Sequence, residues 1–178
     1  MAMTIGIIGA DDRAVAIGRL LRRCGHEITF SDPTGYNAAQ HAVEALDGQA
    51  QACTPYDQAT TAEALVFTVH WDDLDGTLKA LGAYKDGLVI DATRPPALED
   101  GTSGAEMLAK KLDNRHVVKA FIDVTDLHEP IRVASDDPEA RMQVEEMIRS
   151  CGALVEDAGP LASAAEIERD FAQKHTVT

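Results

Sequence analysis

The sequence is poor in aromatic residues, in basic residues and in cysteine, and it has no long apolar run. Phe, Trp and Tyr make up 4% of its 178 residues, so Val, Ile, Leu and Ala have to fill the core. Only 16 Lys and Arg stand against 30 Asp and Glu, a formal net charge of −14. A nucleic-acid-binding face needs clustered cations. The basic groupings here, Arg19, Arg22, Arg23 and Lys110-Lys111, fit solvated helix faces, so no nucleic-acid partner is expected. No stretch approaches the ~20 apolar residues that span a bilayer. The N-terminus runs straight into a strand, without the charged start and apolar run of a leader. The expectation is a cytoplasmic protein with no membrane partner. The three cysteines, Cys24, Cys53 and Cys151, are too widely spaced for a zinc or redox motif. Their odd, sparse count fits a reducing compartment. Cys24 and Cys151, each closing a helical pattern, are expected as small buried hydrophobes.

What the sequence does have is alternation. Short apolar runs alternate with helical patterns, the signature of βαβ units and a mostly parallel sheet. Met3 to Ile8 reads as a strand, Arg13 to Cys24 as a helix ended by Gly25, and Glu27 to Ser31 as the second strand. Tyr36 to Asp47 is helical and closed by Gly48, and Ala50 to Cys53 is a short strand. Ala64 to Val69 reads as a fully buried strand, since parallel strands covered on both faces read as continuous apolar runs, and Leu88 to Ala92 as another strand, with a helix over Asp72 to Leu81 between them. Further helices are expected over Gly104 to Leu112, Asp137 to Ser150 and Leu161 to Gln173. Strands are expected over His116 to Ile122, Pro130 to Ser135 and Leu154 to Glu156, with a disordered end of a few residues. The fold class is α/β: a Rossmann-type, doubly wound, mostly parallel sheet with helices on both faces. A chain of this length buries roughly 70% of its unfolded surface and needs no staples. One domain is expected over residues 1–174, with 130–174 continuing it.

In such folds a dinucleotide's diphosphate sits where the first strand turns into the first helix, because the helix start offers free N–H groups and partial positive charge. The turn reads Gly9-Ala10-Asp11-Asp12-Arg13-Ala14. Gly9 supplies the tight turn and Ala14 the close helix–strand packing. Asp11 replaces the glycine that normally admits the diphosphate. Two charges ~4 Å apart at an effective dielectric near 20 repel by roughly 4 kcal/mol, a cost that Arg13 would offset by reaching the phosphates. Asp32 follows Gly9 by 23 residues, at the end of the second strand, where an acidic residue grips the adenine ribose. Its other reading is a turn, since Ser31-Asp32-Pro33-Thr34-Gly35 is rich in turn formers. A carboxylate accepts hydrogen bonds from a free 2′-hydroxyl and repels a 2′-phosphate, so the residues favour NAD over NADP.

Several stretches resemble the coenzyme F-420-dependent NADP oxidoreductase family. They are Ile5-Gly6-Ile7-Ile8-Gly9, Ala16-Ile17-Gly18-Arg19-Leu20-Leu21, Gly25-His26-Glu27-Ile28, Val66-Phe67-Thr68-Val69-His70-Trp71 and Val89-Ile90-Asp91-Ala92-Thr93-Arg94-Pro95. The later half adds Val118-Lys119-Ala120-Phe121, Asp136-Asp137-Pro138-Glu139-Ala140-Arg141 and Glu156-Asp157-Ala158-Gly159-Pro160-Leu161. The resemblance implies a small reductase that passes hydride between NADP and a deazaflavin or flavin-like acceptor, as a homodimer. The departures fall at ligand-facing positions: Asp11, Asp32-Pro33, His70, Arg94 and Ile122. The candidate cofactor residues are thus Gly9, Ala10, Asp11, Asp12, Arg13, Asp32, Val69, His70, Trp71 and Thr93. His70 is the one catalytic candidate, with a packed or capping histidine as its other reading. Trp71 flanks the cofactor or covers a helix start. Arg94 either pairs with an anionic substrate group or lies on the surface before a Pro-Pro turn. Asp123, Asp126, His128 and Glu129 have no metal-ligand spacing, and no metal is expected. The competing functional reading is a non-catalytic Rossmann protein, binding or regulatory, whose cofactor site has degenerated.

Overall fold

Eight strands form one sheet in the order β3-β2-β1-β4-β5-β6-β7-β8 in the computed structural model, which describes residues 1–176. The elements run β1 (Thr4–Ile8), α1 (Asp12–Arg23), β2 (Glu27–Ser31), α2 (Tyr36–Ala45), β3 (Gln51–Ala52), α3 (Pro55–Thr61) and β4 (Ala64–Phe67). A 3-10 turn over Trp71–Asp73 leads into α4 (Leu74–Leu81), followed by β5 (Leu88–Asp91), α5 (Gly104–Leu112), β6 (Val117–Lys119) and β7 (Ile131–Ala134). The chain ends with α6 (Pro138–Ser150), β8 (Val155–Gly159), a 3-10 turn over Leu161–Ser163 and α7 (Ala164–Thr176). Every strand pair is parallel except β6 with β7. The chain winds outward from β1 to β3 and returns to β4 on the other side of β1. That reversal opens a crevice at the carboxyl ends of β1 and β4, the place where doubly wound folds bind ligands.

Helices cover both faces. On one, α1, α2 and α6 lay Ile17, Leu21, Ala42, Val144 and Ile148 against Ile5, Ile7, Phe30, Val66, Ile90 and Val118. On the other, Leu74 of α4 and Leu108 of α5 pack with Ile8, Leu65, Phe67 and Val89. Both faces of β4 and β5 are therefore covered, and all eight of their residues are buried, Asp91 at the end of β5 being the one charged residue among them. Ala14 is fully buried, and a second close helix–strand approach in α1 falls one turn later, at Gly18. A Cβ on Gly18 would lie 2.7 Å from the Phe30 ring.

Four features depart from the sequence reading. Helix α3 was not expected: its only buried residue is Gln58, so it has no apolar stripe. Its signal was the cap, with Thr54 accepting the Asp57 amide and Pro55 in the first turn. Gln58 is itself a polar staple, donating to the carbonyls of Ile7 and Thr29 and accepting from the Ser31 hydroxyl. Cys24 and Cys151 are not separate hydrophobes but a disulfide with Cα atoms 5.2 Å apart, which removes the argument from an odd, sparse count to a reducing compartment. The strand at 116–122 ends at Lys119, because Phe121 takes a left-handed conformation, φ 58°. Helix α7 is described through Thr176, so the expected disordered end does not include residues up to 176; positions 177–178 lie outside the described residues. Among the described residues no helix is long and apolar enough to cross a membrane.

Candidate functional site

The crevice begins at the β1–α1 turn. Gly9 has φ 121°, and its amide donates to the Ser31 carbonyl at 2.8 Å. A Cβ there would sit 2.1 Å from the Thr68 hydroxyl and 3.2 Å from the Thr68 carbonyl carbon. Only glycine lets β1 turn this close to the end of β4. Asp11 then takes the N-cap position of α1, its carboxylate accepting the Ala14 amide at 2.8 Å. It is exposed and lines the crevice. The first intrahelical bond runs from the Val15 amide to the Asp11 carbonyl, so the amides of Asp12 and Arg13 precede it. These are the N–H groups a helix start offers to an anion.

A cavity of about 270 Å³ opens beside this turn, lined by Gly9, Ala10, Asp11, Asp32, Thr68, Val69, His70 and Asp73 among others. Six of the predicted cofactor residues thus meet in one place, from the carboxyl ends of β1, β2 and β4. Asp32 folds back on its own turn, accepting the Thr34 amide at 2.8 Å and the Thr34 hydroxyl. Both of its readings therefore share one carboxylate. The His70 ring is exposed and does not cap the turn that follows it. Val69 is buried beneath the rim. The lining carries three carboxylates, Asp11, Asp32 and Asp73, and no Lys or Arg.

The other predicted residues lie elsewhere. Arg13 turns inward and donates to the carbonyls of Thr68 (2.8 Å) and Ala92, bridging the ends of β4 and β5 instead of facing the cavity. Burial, followed by the like charge of Arg94, lowers its pKa to about 10. Arg94 spans the next gap, donating through Nε and Nη2 to the Ile122 carbonyl beyond β6. Its guanidinium lies 4.1 Å from the centre of the Phe171 ring of α7, and burial lowers its pKa too. Two arginines therefore stitch three strand ends together. Trp71 packs over the start of α5, its ring 3.1 Å from where a Cβ on Gly104 would be. Thr93 is buried, with amide and hydroxyl both donating to Asp91 Oδ1.

Sequence reasoning missed a buried ionic cluster behind Thr93. The Lys119 ammonium, with no exposed surface, lies 2.7 Å from the Thr93 carbonyl, 3.1 Å from Asp91 Oδ2 and 3.0 Å from Glu168 Oε1. Its signal was a lysine and an aspartate closing strands otherwise made of buried apolar residues.

The model of the family described as NADP oxidoreductase, coenzyme F420-dependent, matches residues 4–95, more than half of the sequence. The chain belongs to this family. The matched segment holds the Gly9 turn, Asp32, His70 and Thr93, and it reaches Arg94 and Pro95. Membership places the chain in an NAD(P)-binding Rossmann family of oxidoreductases. It is 25% identical to human metalloreductase STEAP2 over 177 residues, which cover 93% of this chain and 35% of that protein. Rat metalloreductase STEAP3 is 27% identical over 180 residues, 94% of this chain and 36% of that one. The chain thus spans about a third of the length of these curated relatives. In structure it resembles a candidate F420-dependent NADP reductase from Arthrobacter sp. FB24, with TM-score 0.81 and 20% identity, covering 96% of this chain and 91% of the other.

Proposed function

We propose that this protein is an NAD(P)-dependent reductase whose crevice prefers a dinucleotide without a 2′-phosphate. The observation that carries this reading is the 270 Å³ cavity at the β1–α1 turn, with Asp32 on its wall and no cation in its lining. Gly9 supports the fit, because a side chain there would close the turn a diphosphate has to approach. The amides of Asp12 and Arg13 bind the diphosphate, and Asp32 accepts from the ribose hydroxyls. A 2′-phosphate would meet the Asp32 carboxylate with no Lys or Arg in the lining to offset it. When bound, the nicotinamide supplies the hydride. The chain supplies position, from which most of the rate in such a reaction derives. Val69 and His70 border the nicotinamide end, with the buried Thr93 near it at the end of β5, and His70 is the exposed ring available to a substrate oxygen. Arg94, beside that end, orients an anionic group of the acceptor, either a deazaflavin or flavin-like ring system or a smaller molecule. Residues 1–174 act as one cofactor-binding unit, because β7 and β8 extend the same sheet.

A second reading, a non-catalytic Rossmann protein, has one observation in its favour: Arg13 is committed to two carbonyls and leaves Asp11 as the nearest charge at the helix start. Thermal-shift titration with NADH and NADPH separates the two. A ligand at 100 times its Kd stabilises by about 2.7 kcal/mol. The reductase reading expects a shift with both and the larger one with NADH. A larger shift with NADPH refutes the preference, and no shift with either leaves the non-catalytic reading.

A further inference from the structure

One carboxylate on the last helix contacts the end of β6 and the start of α5, and through β6 reaches the end of β5. Glu168 is 9% exposed. Its Oε1 lies 3.0 Å from the Lys119 ammonium at the end of β6, and its Oε2 accepts the Gly104 amide at the start of α5, 3.0 Å away. Lys119 passes the contact on. Two of its protons go to Asp91 Oδ2 and the Thr93 carbonyl, and Asp91 Oδ1 receives the amide and hydroxyl of Thr93. The peptide that leaves β5 for Arg94 is therefore fixed from both sides. Neither Glu168 nor Lys119 lines the cavity at the β1–α1 turn. Burying an ammonium between two carboxylates is a poor way to gain stability, since well-packed apolar residues of the same volume are often as good or better. What such a cluster provides is a defined geometry, and the geometry it defines here is that of Thr93.

We propose that Glu168 is a positioning residue for the nicotinamide end of the crevice, acting through Lys119 and the Thr93 peptide. The inference rests on the cofactor reading above. Phe171, three residues on in α7, stacks on Arg94, so the same helix steadies both residues that follow Ala92.

The test compares two probes on the full chain. NADH engages both ends of the crevice, whereas ADP engages only the adenosine end. Glu168→Gln keeps the side-chain size and removes the charge that holds Lys119. Glu168→Asp keeps the charge on a shorter arm. Thermal melting and far-UV circular dichroism establish that each variant is folded. The expected result for Glu168→Gln is about tenfold weaker NADH binding, with ADP affinity changed less than about twofold and a smaller loss in Glu168→Asp. Equal losses for the two probes, no loss for either, or failure of both variants to fold make Glu168 a structural residue and overturn the proposal. Wild-type protein that binds neither probe overturns the cofactor reading and this inference with it. Wild-type protein that binds both, with an unchanged ratio of affinities in Glu168→Gln, overturns this inference alone.

Discussion

Reducing the Cys24–Cys151 bond is expected to cost more stability than any single side chain in the core. The bond joins residues 127 apart in sequence. It ties the C-cap of α1 to the C-cap of α6, two helices on the same face of the sheet. In the chain-entropy description, closing a loop of that length removes about 5 kcal/mol of freedom from the unfolded state at 25 °C. For a chain of this size each kcal/mol moves Tm by about 2–4 °C, so the expected drop is about 10–20 °C. The assay is thermal unfolding followed by circular dichroism, with and without a reducing agent, on wild type and on Cys24→Ser/Cys151→Ser. Alkylation before reduction, read by intact mass, should modify one cysteine, Cys53, the free thiol. The double variant should melt with reduced wild type and be indifferent to reductant, and Cys53→Ser should behave as wild type. A double variant melting within about 2 °C of oxidised wild type, less than 1 kcal/mol on that scale, would refute the reasoning. So would alkylation of all three cysteines before reduction.

Gly9→Ala forces a methyl group into Thr68 at positive φ; it should destabilise by about 1–3 kcal/mol and abolish any thermal shift with NADH. Arg13→Met leaves the carbonyls of Thr68 and Ala92 without their buried donor and should cost about 1–3 kcal/mol, read as a lower urea midpoint. Asp32→Ser should move the ratio of NADH to NADPH affinity toward NADPH, measured by nicotinamide fluorescence. Desolvation raises the Asp137 pKa, but hydrogen bonds from His116 and the α6 amides outweigh it and leave the carboxyl below its usual value of 3.8. A depressed folded-state pKa gives stability above the unfolded value that is lost as pH falls through the folded one. Asp137→Asn, which can still cap the helix, should therefore lower Tm at pH 7 and converge with wild type in acid.

The scaffold was legible because its physics is local. β2 and α5 appear at the expected bounds: Glu27–Ser31 shows strand character within five residues, and Gly104–Leu112 follows a serine–glutamate capping box. The parallel order followed from alternation alone. The pairings that decide the details are long-range and leave no periodic trace. Cys151 lies beyond any spacing rule from Cys24. Glu168 was one acidic position in an amphipathic helix until the fold brought it to Lys119. Arg13 could be assigned a direction only once Thr68 and Ala92 were known to end neighbouring strands. Helix α3 escaped for the opposite reason: its one buried anchor is polar, and hydrophobic periodicity cannot register a glutamine.

The same distinction explains the charge at the crevice. A carboxylate at the start of α1 stabilises the free protein, since an N-cap contributes about 1 kcal/mol and negative charge suits a helix start. It works against an incoming diphosphate. The chain does not resolve this by aiming Arg13 at the ligand. Asp11 instead acts on Arg13 and Arg94, counteracting part of the lowering that burial imposes on each pKa. The two guanidiniums hold β4, β5 and β6 together, and the acid they partly neutralise is the one the crevice has to tolerate. Part of the Asp11 charge is therefore offset within the protein before any ligand arrives, while Asp32 and Asp73 in the lining have no cation beside them there. On the proposed reading, affinity then falls to the Asp12 and Arg13 amides and to a ribose contact at Asp32, neither of which gains from a 2′-phosphate.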